Sequence, residues 1–216
     1  MELTKQGHAC VVLRDGDRNL VIDPGAFTDP AVFQGAGAVL ITHEHADHFE
    51  PQRLRAALDA DPALEVWTNK SVAAQLEGLG GRVHVVGRGD AVTAAGFDVR
   101  VHGELHAEIH PDIPPTANIG FLIDGGANGT VFHPGDALTV PDEPVATLLV
   151  PMHAPWSRTA DLIDYVRAVH ADQAFAVHDG ALNDIGLGMV TGLLGERGPG
   201  TPTPFSRLAP GDATEL

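Results

Sequence analysis

The chain reads as an α/β protein on three observations. Short apolar runs at 37–41, 147–150 and 174–177 have the length and composition of buried strands, and segments with helical spacing at 51–58, 71–79 and 161–170 alternate with them. Gly and Pro mark the joins, so strand and helix follow one another along the chain. The class is therefore α/β, in the broad sense that includes α+β.

In chain order, residues 3–13 alternate loosely and lead through the turn signal at 14–18 to a second strand at 19–23, a hairpin that closes at Pro24-Gly25. Asp23 stands at that strand's end. The strand at 37–41 is followed at once by Thr42-His43-Glu44-His45-Ala46-Asp47-His48, with three imidazoles and a carboxylate among the ligand-type residues. Imidazole nitrogen and carboxylate oxygen are donors that borderline divalent metals prefer. A helical His-Glu-x-x-His site is excluded, because the position four after His43 is Asp47. A helix over 51–58, a strand at 66–68, a helix over 71–79 and a strand at 83–86 come next. Residues 97–102 alternate strictly, which puts Phe97, Val99 and Val101 on one face and turns His102 outward. A Pro- and His-bearing loop contains His106 and His110. A hairpin over 118–124 and 130–133 ends in Pro134-Gly135-Asp136, where Gly lets the backbone turn and aims the carboxylate. The strand at 174–177 delivers His178 and Asp179, and a last strand is expected near 205–208.

Length and composition set the bounds. A chain of 216 residues, 44% hydrophobic, fits one domain spanning 1–216 with a sizeable core. No apolar run approaches the roughly 18–20 residues that cross a bilayer, and residues 1–5 lead straight into a strand, which gives the expectation of a cytoplasmic protein without membrane partners. Lys plus Arg number 13 against 29 Asp plus Glu, a net charge of −16. That field repels polyanions, so nucleic acid is not an expected partner and a small-molecule substrate is. The lone Cys10 is read as an inert core thiol, and oligomeric state leaves no mark.

The spacing of His43, His45, Asp47 and His48 resembles the metal-binding signature of the metallo-β-lactamase-fold superfamily. The resemblance implies a four-layer αβ/βα sandwich in which His43 and His45 serve one metal and Asp47 and His48 a second. It also implies a third His for the first metal, a Gly-Asp carboxylate bridging both, and a late His for the second. His106, Asp136 and His178 lie at strand ends in that order, with His110 competing for the place of His106. Asp23 is expected to support the metal loop from behind, and His110, His153 and Trp156 are expected substrate contacts because they sit in loops after site strands. His8, His84 and His170 are read as ordinary surface or core residues.

Gly7-His8, 21–25, 118–121 and His133-Pro134-Gly135-Asp136 are also similar to the lactonase-like branch that includes the ascorbate-6-phosphate lactonases. What this implies is a hydrolase with two divalent ions, expected as Zn with Mn or Fe fitting the same donors. Such an enzyme attacks an ester, lactone or phosphodiester with metal-activated hydroxide, and Asp47 doubles as the catalytic group that orients it. Two alternatives stand beside it: a mononuclear iron oxygenase, and a non-catalytic metal-binding protein on the same scaffold.

Overall fold

A computed structural model describes every residue except Glu196 and Gly200. Two seven-stranded sheets lie face to face. The first contains β1 (Glu2–Lys5), β2 (Val11–Asp15), β3 (Arg18–Ile22), β4 (Ala38–Ile41), β5 (Glu65–Thr68) and β6 (Val83–Val85) in sequential order. The second runs from β7 (Ala91–Ala94) and β8 (Phe97–His102) through β9 (Gly120–Asp124), β10 (Thr130–His133) and β11 (Thr147–Pro151) to β12 (Gln173–Val177) and β13 (Phe205–Ser206). The last strand, β14 (Ala213–Glu215), returns to the first sheet and pairs antiparallel with β1.

The apolar runs are continuous because these strands are buried on both faces. In β2, β3 and β4 the residues Val11, Leu13, Leu20, Ile22 and Leu40 point between the sheets, where they meet Phe97, Val99, Val101, Phe121 and Ile123 of the second sheet. Their neighbours Val12, Val21, Val39 and Ile41 point the other way, against Leu54 and Leu58 of α1 (Pro51–Ala60) and Val72 of α2 (Lys70–Gln75). The second sheet repeats the arrangement: Leu122, Phe132, Leu148 and Val150 pack under α3 (Thr159–Val169) and α4 (Asp184–Leu194) through Leu162, Val166 and Leu194. Three apolar clusters between four layers make the αβ/βα sandwich expected from the resemblance. Three of the α-helices are started by local chemistry; Glu50 caps α1 ahead of Pro51, Asn69 caps α2 through the Ser71 and Val72 amides, and Asn183 caps α4.

Several elements differ from the sequence reading. The stretch 3–13 is two antiparallel strands, β1 and β2, closed by Gln6 N–H donating to Cys10 O at 2.8 Å, so His8 sits at a turn. The helix expected over 71–79 is only α2, and 76–79 continue as turn. β7, β14 and α4 carried no clear signal; α4 holds Gly186, Gly188 and Gly192, residues that oppose helix formation. Among the described residues no helix is long and apolar enough to cross a membrane. Cys10 is fully buried, and burial pushes its thiol pKa far up.

What the fold does for the site is bring four strand ends to one place. β3 ends at Asp23, β4 at Thr42 and His43, β10 leads to Asp136, and β12 leads to His178. The parallel register of β3 and β4, with Ile22 opposite Leu40, sets Asp23 beside Thr42.

Candidate metal centre

Asp23 is wholly buried and adopts a left-handed φ of +51°. Its Oδ1 accepts the Thr42 N–H at 2.8 Å, and its Oδ2 accepts the Thr42 hydroxyl and His48 Nδ1, both at 2.7 Å. The expected support from behind the loop is therefore present as three hydrogen bonds. Two glycines permit the packing around it. A Cβ on Gly25 would lie 2.1 Å from the Asp47 carbonyl oxygen, and one on Gly135, at φ +63°, would lie 2.3 Å from Asn118 Oδ1. Asn118 is fully buried and holds the Asp136 turn from both sides, accepting the Asp136 N–H at 3.0 Å and donating to Pro134 O at 2.9 Å.

Four of the imidazoles, those of His43, His48, His106 and His178, share one orientation. His43 Nδ1 lies 3.0 Å from the Thr42 hydroxyl, whose own proton goes to Asp23; His48 Nδ1 goes to Asp23; His106 Nδ1 to Ala107 O at 2.5 Å; His178 Nδ1 to His153 O at 2.6 Å. An Nδ1 that donates outward leaves Nε2 as the lone-pair nitrogen of a neutral ring, and all four Nε2 atoms face inward. His43 Nε2 is 3.1 Å from His45 Nδ1. Asp136 lies between the two halves: its Oδ1 is 3.1 Å from His48 Nε2, and its Oδ2 is 3.1 Å from His178 Nε2 and 3.4 Å from His106 Nε2. Asp47 Oδ2 lies 3.1 Å from His178 Nε2 and 3.8 Å from His48 Nε2.

These donors suit divalent metal. His48 Nε2, His106 Nε2 and Asp136 Oδ1 are buried without a hydrogen-bond partner, even though His48 Nε2 and Asp136 Oδ1 are close; their alignment is wrong for a mutual bond. Orphaned buried polar atoms aimed at one point are the arrangement a cation satisfies. His43, His45 and His106 could hold one ion, and His43, His48 and Asp136 converge equally closely.

Of the other expected positions, Trp156 does reach the site: its Nε1 donates to Asp136 Oδ2 at 3.1 Å. His153 contributes through its carbonyl, which takes the His178 proton. His110 is outside. Its side chain is 60% exposed and pairs with Asp112, because Leu105 bridges Ala117 and turns His106 inward while the loop carries His110 away. His102 packs against Phe132 and the acidic pair Asp142 and Glu143, as a strand residue facing away from the site would. A surface cavity of about 630 Å³ lies between Arg88, Arg100 and Glu143 and includes none of the expected ligands.

His8 was not expected here. It is buried, its ring centroid is 3.9 Å from that of His178, and its Nε2 is 3.4 Å from Asp47 Oδ2. It differs from the ligand set in one respect: its Nδ1 accepts the Gly180 N–H at 2.8 Å, so the neutral ring carries its proton on Nε2, facing Asp47. His8 is thus a donor to Asp47 where the others present lone pairs. Its only sequence signal was the Gly7-His8 pair. His133 is a second unexpected participant, buried behind Asp23, donating from Nε2 to Ala9 O at 3.0 Å and accepting the Gly135 N–H.

Charge is unevenly distributed among these groups. Burial holds His43 well below its ordinary pKa, and burial also lowers His45 and His8. Burial opposes protonation of His48 too, but Asp136 and Asp23 outweigh it and raise its pKa well above the usual value; likewise Asp136 and Asp47 raise His178 to about 9. Asp47 and Asp136 are lowered, burial being overcome by the surrounding histidines. For metal-free protein the sign follows. His178 binds its proton more tightly folded than unfolded, so its contribution to stability is complete below pH 6.5 and is lost as pH rises to about 9. Thermal melts of chelator-treated protein should show Tm falling across that window. Metal-loaded protein should show no such fall, since ligands bind metal deprotonated; a flat or rising metal-free profile contradicts this assignment.

Comparison with known proteins places this architecture. Residues 2–178 match the family model of the beta-lactamase superfamily domain. The chain is 39% identical over 210 residues to protein Rv0786c of Mycobacterium tuberculosis, covering 96% of each chain. It is 28% identical over 140 residues to a UPF0173 metal-dependent hydrolase of Methanospirillum hungatei, covering 63% of this chain and 59% of that one. Among solved structures, the metallo-beta-lactamase fold protein YhfI of Bacillus subtilis superposes with a TM-score of 0.72 at 15% identity, covering 100% of this chain and 99% of that one. The diiron β-hydroxylase CmlA of Streptomyces venezuelae gives 0.75 at 18% identity, covering all of this chain and 54% of its own length. With the matching family model spanning both halves of the sandwich and every one of the converging histidines and carboxylates, the chain belongs to the beta-lactamase superfamily domain family and has the metallo-β-lactamase fold.

Proposed function

We propose that this protein is a metal-dependent hydrolase of small molecules that works with two divalent ions, zinc being the first choice. The carrying observation is the inward set of lone pairs on both sides of Asp136. In this reading His43, His45 and His106 hold one ion, Asp47, His48 and His178 hold the other, and Asp136 is shared. The metal-dependent hydrolase name borne by the Methanospirillum relative supports the class of reaction.

When bound, two divalent ions supply an acidified water and positive charge for a developing oxyanion. The protein's residues do the rest. Asp23, Thr42 and the Ala107 and His153 carbonyls hold the imidazole rings in the productive tautomer, and Trp156 Nε1 fixes one Asp136 oxygen. Asp47 is a quarter exposed, the most open of the acidic groups, so it faces incoming substrate and is placed to accept a proton from water and return it to the leaving group. His8 steadies the Asp47 oxygen by donating to it. An ester or lactone is the bond proposed, in keeping with the lactonase-like resemblance; the chain's net charge of −16 opposes polyanionic substrates. The protein is assigned to the cytoplasm as a single domain, with a small molecule as its partner.

Elemental analysis of protein purified without added metal should give two equivalents per chain, with turnover in a screen of ester, lactone, thioester and phosphodiester substrates. One equivalent of iron without hydrolysis would instead support the mononuclear oxygenase reading. Asp47→Asn should lower kcat by about 10²–10⁴-fold, the range for a positioned acid or base; full activity would remove Asp47 from the mechanism. His8→Ala should retain both metals and lose about ten- to a hundredfold in kcat, the worth of a hydrogen bond to a charged group. His8→Gln, which keeps an N–H donor, should lose less. Loss of metal in His8→Ala would make His8 a ligand after all.

A further inference from the structure

A cavity of about 470 Å³ opens directly beside Asp47 and His178. Its volume falls in the range of small-molecule sites. Phe27, Pro155, Leu182 and Leu187 supply the apolar part of its lining, and Phe27 is 68% exposed with no polar function of its own. Arg207 also lines it.

Arg207 belongs to an unbalanced charge group. Asp179, buried next to His178 in sequence, accepts from Lys5 Nζ through Oδ1 and from Arg207 Nε at 2.6 Å through Oδ2. One carboxylate is therefore shared by two cations. Lys5 is sealed in the interior, so its charge is spent on Asp179. Arg207 is only partly covered, and among the described residues its two Nη atoms make no hydrogen bond. The surplus is a single positive charge with its forked donors free, in a protein with 13 Lys plus Arg against 29 Asp plus Glu. Asp179 holds Nε and so fixes the plane of the guanidinium.

We infer that this cavity is the substrate's binding site and that it selects a monocarboxylate with an apolar body, the carboxylate on the Arg207 Nη atoms and the apolar part along Phe27, Leu182 and Leu187. The inference rests on the hydrolase reading for what happens to that substrate, and on the cavity alone for its binding. A single unshared cation matches a carboxylate better than a phosphate dianion, which calls for more donors.

The test is binding, so it does not depend on turnover. Hexanoate, hexyl phosphate and 1-hexanol are titrated into the purified, metal-bearing protein, read by calorimetry and thermal shift. Hexanoate should bind wild type more tightly than hexyl phosphate, and hexanol should bind least. Arg207→Gln should weaken hexanoate about tenfold to a hundredfold, the effect of losing a charge-assisted pair. Arg207→Lys should restore part of the affinity. Phe27→Ser, a change on the surface that leaves the core intact, should weaken hexanoate and hexanol alike. Hexanoate affinity unchanged in a folded Arg207→Gln would place the anion on the metals and overturn the proposal; tighter, Arg207-dependent binding of hexyl phosphate would overturn the carboxylate assignment. Should Arg207→Gln fail to fold, the Arg207→Lys and Phe27→Ser titrations decide, and wild-type affinity in both overturns it. Arg207-dependent hexanoate binding in a protein that hydrolyses no ester or lactone would leave the site standing and remove the hydrolase reading.

Discussion

The buried carboxylate of Asp23 is the constraint on which the rest of the site depends. A carboxylate removed from water is costly unless its oxygens are filled, and here both are filled from the metal loop: the Thr42 amide, the Thr42 hydroxyl and His48 Nδ1. The left-handed φ of +51° that aims it costs about 1–3 kcal/mol for a non-glycine residue. The three hydrogen bonds offset that strain and in return fix the start of the loop, the His48 ring and, through Thr42, the tautomer of His43. The absence of side-chain atoms at Gly25 and Gly135 lets Gly25 pack against the Asp47 backbone and the Asp136 turn against the Asn118 and Thr42 side chains around this anchor.

The proton positions separate the histidines by role without reference to any bound ion. When neutral, rings whose Nδ1 donates to a fixed oxygen point a lone pair into the centre; His8 and His133 are held the other way, each Nδ1 accepting a backbone N–H. Distance alone would have grouped His8, Asp47 and His178 together as ligands. The hydrogen-bond accounting reassigns His8 to the support of Asp47. The same accounting explains why burial lowers the pKa of some of these histidines while nearby carboxylates raise His48 and His178: a crowded set of bases shares too few carboxylates to be charged throughout.

Much of this was legible in the sequence. Strands buried on both faces had to read as unbroken apolar runs, and the three imidazoles and one carboxylate after β4 had no better use than a common centre. Asp136 and His178 were legible because each follows a strand that must end at the same edge. His8 was not, since its role depends on an amide 172 residues away. That His106 and not His110 faces Asp136 goes with the Leu105 to Ala117 bridge, a contact without local signal. α4 was hidden by its glycines, and its helical state rests on Leu194 and its neighbours packing beside α3 rather than on propensity.

Asp179 links the two parts of the site. It follows His178, which itself takes a left-handed φ of +56°, and it is tied through Lys5 to β1 and through Arg207 to the segment beyond β13. Backbone bonds reinforce the tie, the His178 N–H donating to His8 O at 2.7 Å. The ionic cluster therefore does two things with one geometry. It holds the strained His178 in place from behind, and because two cations meet one carboxylate it leaves the Nη donors of Arg207, which lines the cavity, without a hydrogen bond among the described residues. A neutral hydrogen-bonded pair in the same position could supply the first effect but not the second, so a buried, costly charge cluster makes physical sense where a strained residue is held and a cation is kept available by one geometry.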